Sequence, residues 1–78
     1  INMVQKVDKL KGKITENRYT YTRLAEDLGM SLFTLRRKIN GKDAEFSISE
    51  SLKVKRLLNL STSDYLDIFF GQQLEFNS

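Results

Sequence analysis

Apolar residues recur along this chain at helical spacing, and glycine, serine and threonine mark the breaks between the runs. The sharpest pattern spans Tyr21 to Gly41. Leu24, Ala25 and Leu28 fall at i, i+1 and i+4, one face of a helix. Gly29 follows where a helix ends in the left-handed conformation, which glycine adopts without steric cost. Met30 reads as a buried linker and Ser31 as the cap of the next helix. Leu35 and Ile39 repeat at i, i+4 and form its inner face. Ala25 supplies the small side chain needed where two helices cross closely near a right angle. Two short helices and a tight turn are the expectation for this stretch.

The flanks extend the pattern. Val4, Val7, Leu10 and Ile14 predict a helix from about Met3 to Thr15, with Lys6, Lys9, Lys11 and Lys13 mostly outside its stripe. Gly12 costs about 1 kcal/mol relative to alanine inside a helix, which predicts a neighbouring helix close by. Residues 16–19 connect to Thr20, the expected N-cap of a helix over Tyr21–Leu28. Residues 42–46 read as a loop. Ser47-Ile-Ser-Glu50 is a capping box opening a helix to about Asn59, with Ile48, Leu52, Val54, Leu57 and Leu58 inward and Lys53, Lys55 and Arg56 outward. Leu60 and Tyr65 stand at the spacing of a hydrophobic staple around Ser61. The helix they open carries Leu66, Ile68, Phe69 and Phe70, so it is either central to the core or half of an interface. Gly71 stops it, and alternation at Leu74 and Phe76 predicts an extended strand or arm over residues 72–78. The expected architecture is all-α: one compact domain over residues 1–78, with five helices and an extended C-terminal tail.

Composition narrows the chemistry. The chain has 78 residues with no Cys and no His, which excludes zinc fingers, thiol chemistry and histidine acid–base catalysis. No apolar run approaches the roughly 18–20 residues that span a bilayer. Glycine-rich phosphate loops, nucleophile elbows and metal-spaced clusters are absent from the sequence. Asp64 and Asp67 sit at i, i+3 near a helix start and read as partners of its dipole. No enzyme activity, cofactor, metal, membrane contact or small-molecule ligand is expected. The net charge of +3 is modest, but its distribution is polar. All 13 Lys and Arg lie in residues 1–56, and residues 57–78 carry only Asp64, Asp67 and Glu75 as charges. From Leu28 through Lys42 there are four basic residues and no acid. That polarity suits a protein docking phosphates on one side, or is simply a solvated helix face.

The run Leu24-Ala-x-x-Leu-Gly-Met-Ser31, with Leu35 and then Asn40-Gly41 behind it, resembles the helix-turn-helix of phage Cro and repressor proteins. The flanking Leu10-Lys-Gly-Lys-Ile14, Lys38-Ile-Asn-Gly-Lys42 and Ile68-Phe-Phe70 are similar to small Cro-like, XRE-type regulators from phages of Gram-positive bacteria. The resemblance covers residues 8–70. It implies a lambda-repressor-like fold, with the helix-turn-helix at about 20–40 and Ser31 to Asn40 as recognition helix. One position departs from the family: three after Leu35, where an apolar residue is usual, stands Lys38, with Ile39 taking over the inner contact.

At 100° per residue, Leu35 and Ile39 point inward while Phe33, Arg36, Arg37 and Asn40 point outward, with Leu32 and Thr34 on the borders. An arginine fork fits the O6 and N7 acceptors of guanine, and Asn40 or Thr34 reaches a base edge or phosphate. Leu32 and Phe33 occupy positions that contact bases in the family; Phe33 either packs on thymine methyls, folds back onto the core or meets a dimer mate. Lys38 is expected to snorkel to a phosphate. Tyr21 matches a backbone-contacting position of the family, and Asn40 and Lys42 flank the loop where repressors touch phosphates. Ser31 completes the candidate DNA-binding set.

The expected function is therefore a sequence-specific transcriptional regulator of the Cro/repressor type, phage or prophage encoded and cytoplasmic in a bacterial host, working on nucleoid DNA. Its partner is an operator in double-stranded DNA, and its mechanism is occupancy by a homodimer, since one recognition helix reads few base pairs. Tyr65, Phe69, Phe70, Leu74 and Phe76 are the expected pairing surface. The alternatives are an antitoxin or controller with the same fold, or a protein-interaction module that keeps the fold without DNA.

Overall fold

The computed structural model of the chain describes residues 7–41 and 44–71. Five helices follow one another: α1 (Val7–Glu16), α2 (Tyr21–Leu28), α3 (Leu32–Asn40), α4 (Ile48–Leu57) and α5 (Thr62–Phe70), with no strand among the described residues. The expected helix start at Met3, Lys42, and the tail with Leu74 and Phe76 lie outside the described residues.

The helix ends follow from side chains within three or four residues of each other. Thr20 Oγ1 accepts the Arg23 N–H at 3.1 Å and opens α2. Gly29 closes it at φ 76°, letting the Met30 N–H donate back to the Ala25 carbonyl at 3.0 Å. Ser31 Oγ accepts the Thr34 N–H at 3.1 Å and opens α3. At α4 the capping box is complete: the Glu50 N–H donates to Ser47 Oγ (3.1 Å) and the Ser47 N–H to Glu50 Oε1 (3.0 Å). Ser61 caps α5 through the Asp64 N–H at 3.0 Å. Two helices end without glycine. Arg18 after α1 and Asn59 after α4 take φ of 58° and 54°, and the next residues, Tyr19 and Leu60, donate back to Ile14 and Lys55.

α2 packs on α3 and α4, and α1 packs on α3 and α5. Leu10 and Ile14 of α1, Leu24, Ala25 and Leu28 of α2, Leu35 and Ile39 of α3, Val54 of α4 and Leu58 just beyond its end meet Leu60 and the buried residues of α5 in one core. Fully burying a Leu or Ile side chain stabilises by about 1.5–3 kcal/mol, and this supplies most of what holds such short helices together.

Three placements differ from the sequence-based expectation. First, α4 is rolled: its buried stripe is Ser51, Val54 and Leu58, whereas Ile48 and Leu52 are 52% and 49% exposed. The Ser51 hydroxyl donates to the Ile48 carbonyl at 2.7 Å and lies 2.9 Å from the Tyr65 hydroxyl, so a small polar residue takes the inner position beneath α5. Second, Phe46 is a core residue (2% exposed) rather than plain loop, set edge-on to Phe69 with ring centroids 5.6 Å apart. Third, Gly12 is exposed and a Cβ there would meet nothing within 4 Å. No helix approach requires it. Gly12→Ala should therefore raise stability by roughly 0.5–1 kcal/mol, read as a higher urea midpoint with unchanged slope; a lower midpoint would contradict the open surroundings.

The acids of α5 serve the fold. Lys9 Nζ lies 2.6 Å from Asp67 and 3.4 Å from Asp64, and Lys13 Nζ lies 3.0 Å from Asp64. These pairs tie α1 to α5. The hydrogen bond from Lys13, aided by Lys9, holds the Asp64 carboxyl below its ordinary value, and the bonds to Asp67 and Asp64 respectively raise Lys9 and Lys13.

Candidate nucleic-acid interface

Because Leu35 and Ile39 are 0% and 1% exposed, α3 is rolled with the expected face outward. Phe33, Arg36, Arg37 and Asn40 are all exposed, and Leu32 and Thr34 are half-buried at the borders. Phe33 is 69% exposed, so it does not fold back onto the core. The Arg37 guanidinium lies over its ring, 5.7 Å from the centroid, within reach of a cation–π attraction. One turn of helix thus presents an aromatic ring and a planar fork side by side.

Ser31 and Thr34 are partly engaged with each other. The Ser31 hydroxyl donates to Thr34 Oγ1 at 3.0 Å while accepting the Thr34 N–H. Tyr21, the first residue of α2, is half-buried against the core. Behind it, the Tyr19 hydroxyl donates to Asp27 at 2.5 Å and the Arg23 guanidinium sits 5.5 Å from the Tyr19 ring centroid. The bond to Asp27 raises the Tyr19 hydroxyl above its ordinary value.

Lys38 is not on this face. Its ammonium donates to Glu50 Oε1 at 3.0 Å and to the Glu45 carbonyl at 3.1 Å, with 16% of the side chain exposed. The sequence pattern sends Lys38 towards a phosphate; within the chain a carboxylate twelve residues away holds the ammonium instead, and the same carboxylate closes the α4 capping box. Lys38 therefore fixes α3 to the start of α4. Burial would raise Glu50, but the Ser47 N–H and the Lys38 ammonium outweigh it and hold the carboxyl below 4.5.

With Glu50 and Asp64 lowered in the fold from 4.5 and 3.8, the unfolded chain binds more protons once pH drops through those ordinary values. Their stabilisation is complete above that range and is lost as pH falls through the lowered values. The urea midpoint should hold from neutral pH to about 5 and then decline. Lys38→Met should flatten part of that decline; an unchanged acid limb would show that the pair does not couple to folding.

The expected pairing residues divide. Phe69 is 0% exposed, and Tyr65 is 8% exposed with its hydroxyl against Ser51, so both belong to the core of one chain. Phe70 is half-buried, its ring 5.7 Å from that of Tyr65.

One residue escaped the sequence reading. A groove beside α3 is lined by Lys11 together with Tyr21, Arg36, Ile39 and Asn40. The helical pattern put Lys11 outside the α1 stripe, but nothing local indicated which helices it would face. Among the described residues no group of three or more acids could hold a metal ion, and no helix is long and apolar enough to cross a membrane. No protein-family model matches the chain, and no curated protein matches it.

Proposed function

We propose that the chain is a sequence-specific DNA-binding regulator of the Cro/repressor type, with α2, the turn at Gly29–Ser31 and α3 serving as its helix-turn-helix. The observation that carries this reading is the outward face of α3. Phe33, Arg36, Arg37 and Asn40 are exposed together on a helix whose opposite face is anchored by Leu35 and Ile39, and no acid interrupts the stretch from Leu28 to Lys42. A single α-helix fits the major groove, where guanine offers two acceptors to an arginine fork and thymine offers a methyl to Phe33. One such helix reads only a few base pairs, so the mechanism is operator occupancy by a dimer at two half-sites, excluding polymerase. Tyr65 and Phe69, 8% and 0% exposed, are core residues of the single chain, and Phe70 is the one described member of the expected pairing set that keeps partial exposure.

Selection of bound duplexes from a random pool tests the reading. Enrichment of a two-fold symmetric motif, with affinity falling steeply as salt rises, is the expected outcome. A flat salt response would sink it. A second reading, a protein-interaction module on the same fold, is favoured by one observation: α4 leaves Ile48 and Leu52 about half exposed on its outer side. Failure to enrich any duplex while the chain is folded would select that alternative.

A further inference from the structure

The groove at the side of α3 is where α1, the start of α2 and the end of α3 come together. Ile39 contributes the apolar part of its lining, and Lys11, Tyr21, Arg36 and Asn40 supply four polar side chains. No carboxylate lines it. The contrast within α1 is informative. Lys9 and Lys13 are paired with acids, whereas the side chain of Lys11 has no ion pair or hydrogen bond among the described residues, and neither does that of Arg36. Both cations therefore line one groove with no carboxylate to neutralise them, a setting in which an anion between them is favoured. The groove also includes the first residue of α2, where the helix dipole is positive. Arg23 already has its N–H bonded to Thr20, which leaves the amides of Tyr21 and Thr22 as the open donors of that turn.

We infer that this groove is a site for one phosphate, and that on DNA it holds a single backbone phosphodiester. Lys11 and Arg36 supply the charge, and the Tyr21 hydroxyl and the Asn40 amide supply hydrogen bonds. The inference rests on the DNA-binding reading. It brings α1 into the interface and assigns Arg36 to the backbone, leaving Phe33 and Arg37 to the base edges.

The test replaces backbone phosphates of the selected duplex one at a time with neutral methylphosphonates. The wild-type chain should lose affinity at several positions. In the double variant Lys11→Ala/Arg36→Ala one of those positions in each half-site should become silent while the others still matter. Because two cations share one phosphate, the slope of log K against log salt should fall in the double variant by about 0.9 per half-site, rather than twice that. Lys53→Ala, on the outer side of α4, serves as the control and should leave the profile unchanged. A methylphosphonate profile identical in wild type and double variant overturns the site while leaving the DNA reading intact. Absence of any salt-dependent duplex binding by the wild type overturns the DNA reading itself. Titration with inorganic phosphate, followed by amide NMR shifts, separates the sources: shifts at Tyr21, Thr22, Arg36 and Asn40 without a phosphonate-sensitive position overturn the duplex assignment in favour of free phosphate.

Discussion

Phe69→Ala is expected to destabilise the fold by about 3–5 kcal/mol, the cost of removing a fully buried aromatic ring and leaving a cavity. The ring is 0% exposed and is contacted from two sides, by Phe46 at 5.6 Å and Tyr65 at 5.4 Å between centroids. A domain of this size has a total stability of roughly 4–12 kcal/mol, so the variant should be largely unfolded at modest urea. The result tests the core placement of Phe69 against the pairing role that the sequence also allowed for α5. A side chain at a pairing surface would instead weaken dimerisation and leave the isolated chain folded. Circular dichroism in urea, read at two protein concentrations, decides the matter: a loss of stability independent of concentration is expected. Phe46→Ala should behave in the same way, because the two rings fill one space. Combined, the two changes should cost less than the sum of the single effects, since each already opens the other's cavity.

Arg37→Lys is expected to have the largest effect on recognition. A lysine keeps the charge but loses the planar fork that, on the proposed reading, pairs with guanine O6 and N7 together, and whose guanidinium carbon sits 5.7 Å from the Phe33 ring centroid. The loss should be about 1–3 kcal/mol at one base pair of each half-site, a drop of roughly five- to 150-fold confined to that position. Arg37 is exposed, and surface changes of this kind shift stability by about 0.5 kcal/mol or less. Binding measured against a panel of single-base variants of the selected duplex gives the answer. Uniform weakening across the panel would place Arg37 on a phosphate instead. Arg36→Ala provides the contrast: with Arg36 on the backbone, as inferred above, the change should weaken every duplex alike and lower the salt slope.

The local rules of the chain were legible without coordinates. Thr20, Gly29, Ser31, Ser47 with Glu50, and Ser61 each act through backbone groups no more than four residues away, so their identity and spacing state the helix boundaries directly. The inward positions of α2 and α3 were equally plain, because Leu24, Ala25, Leu28, Leu35 and Ile39 form clean helical faces with polar residues between them. From those faces the outward set of Phe33, Arg36, Arg37 and Asn40 followed by rotation alone.

What the tertiary structure decided depends on residues far apart in the chain. α4 carries apolar residues around most of its circumference, so its own pattern left the roll open; the Tyr65 hydroxyl, fourteen residues from Ser51, set it and left Ile48 and Leu52 outside. Lys38 lies on the helix expected to read DNA, yet Glu50 twelve residues away drew it into the support of α4. The ion pair between Lys9 and Asp67 joins positions 58 residues apart, and Lys11 comes to line one groove with Tyr21 and Arg36 only once three helices are assembled. Helix caps and faces are set by contacts over three or four residues, which a sequence displays. Roll, charge pairing and the groove arise from side chains that become neighbours only when the core closes.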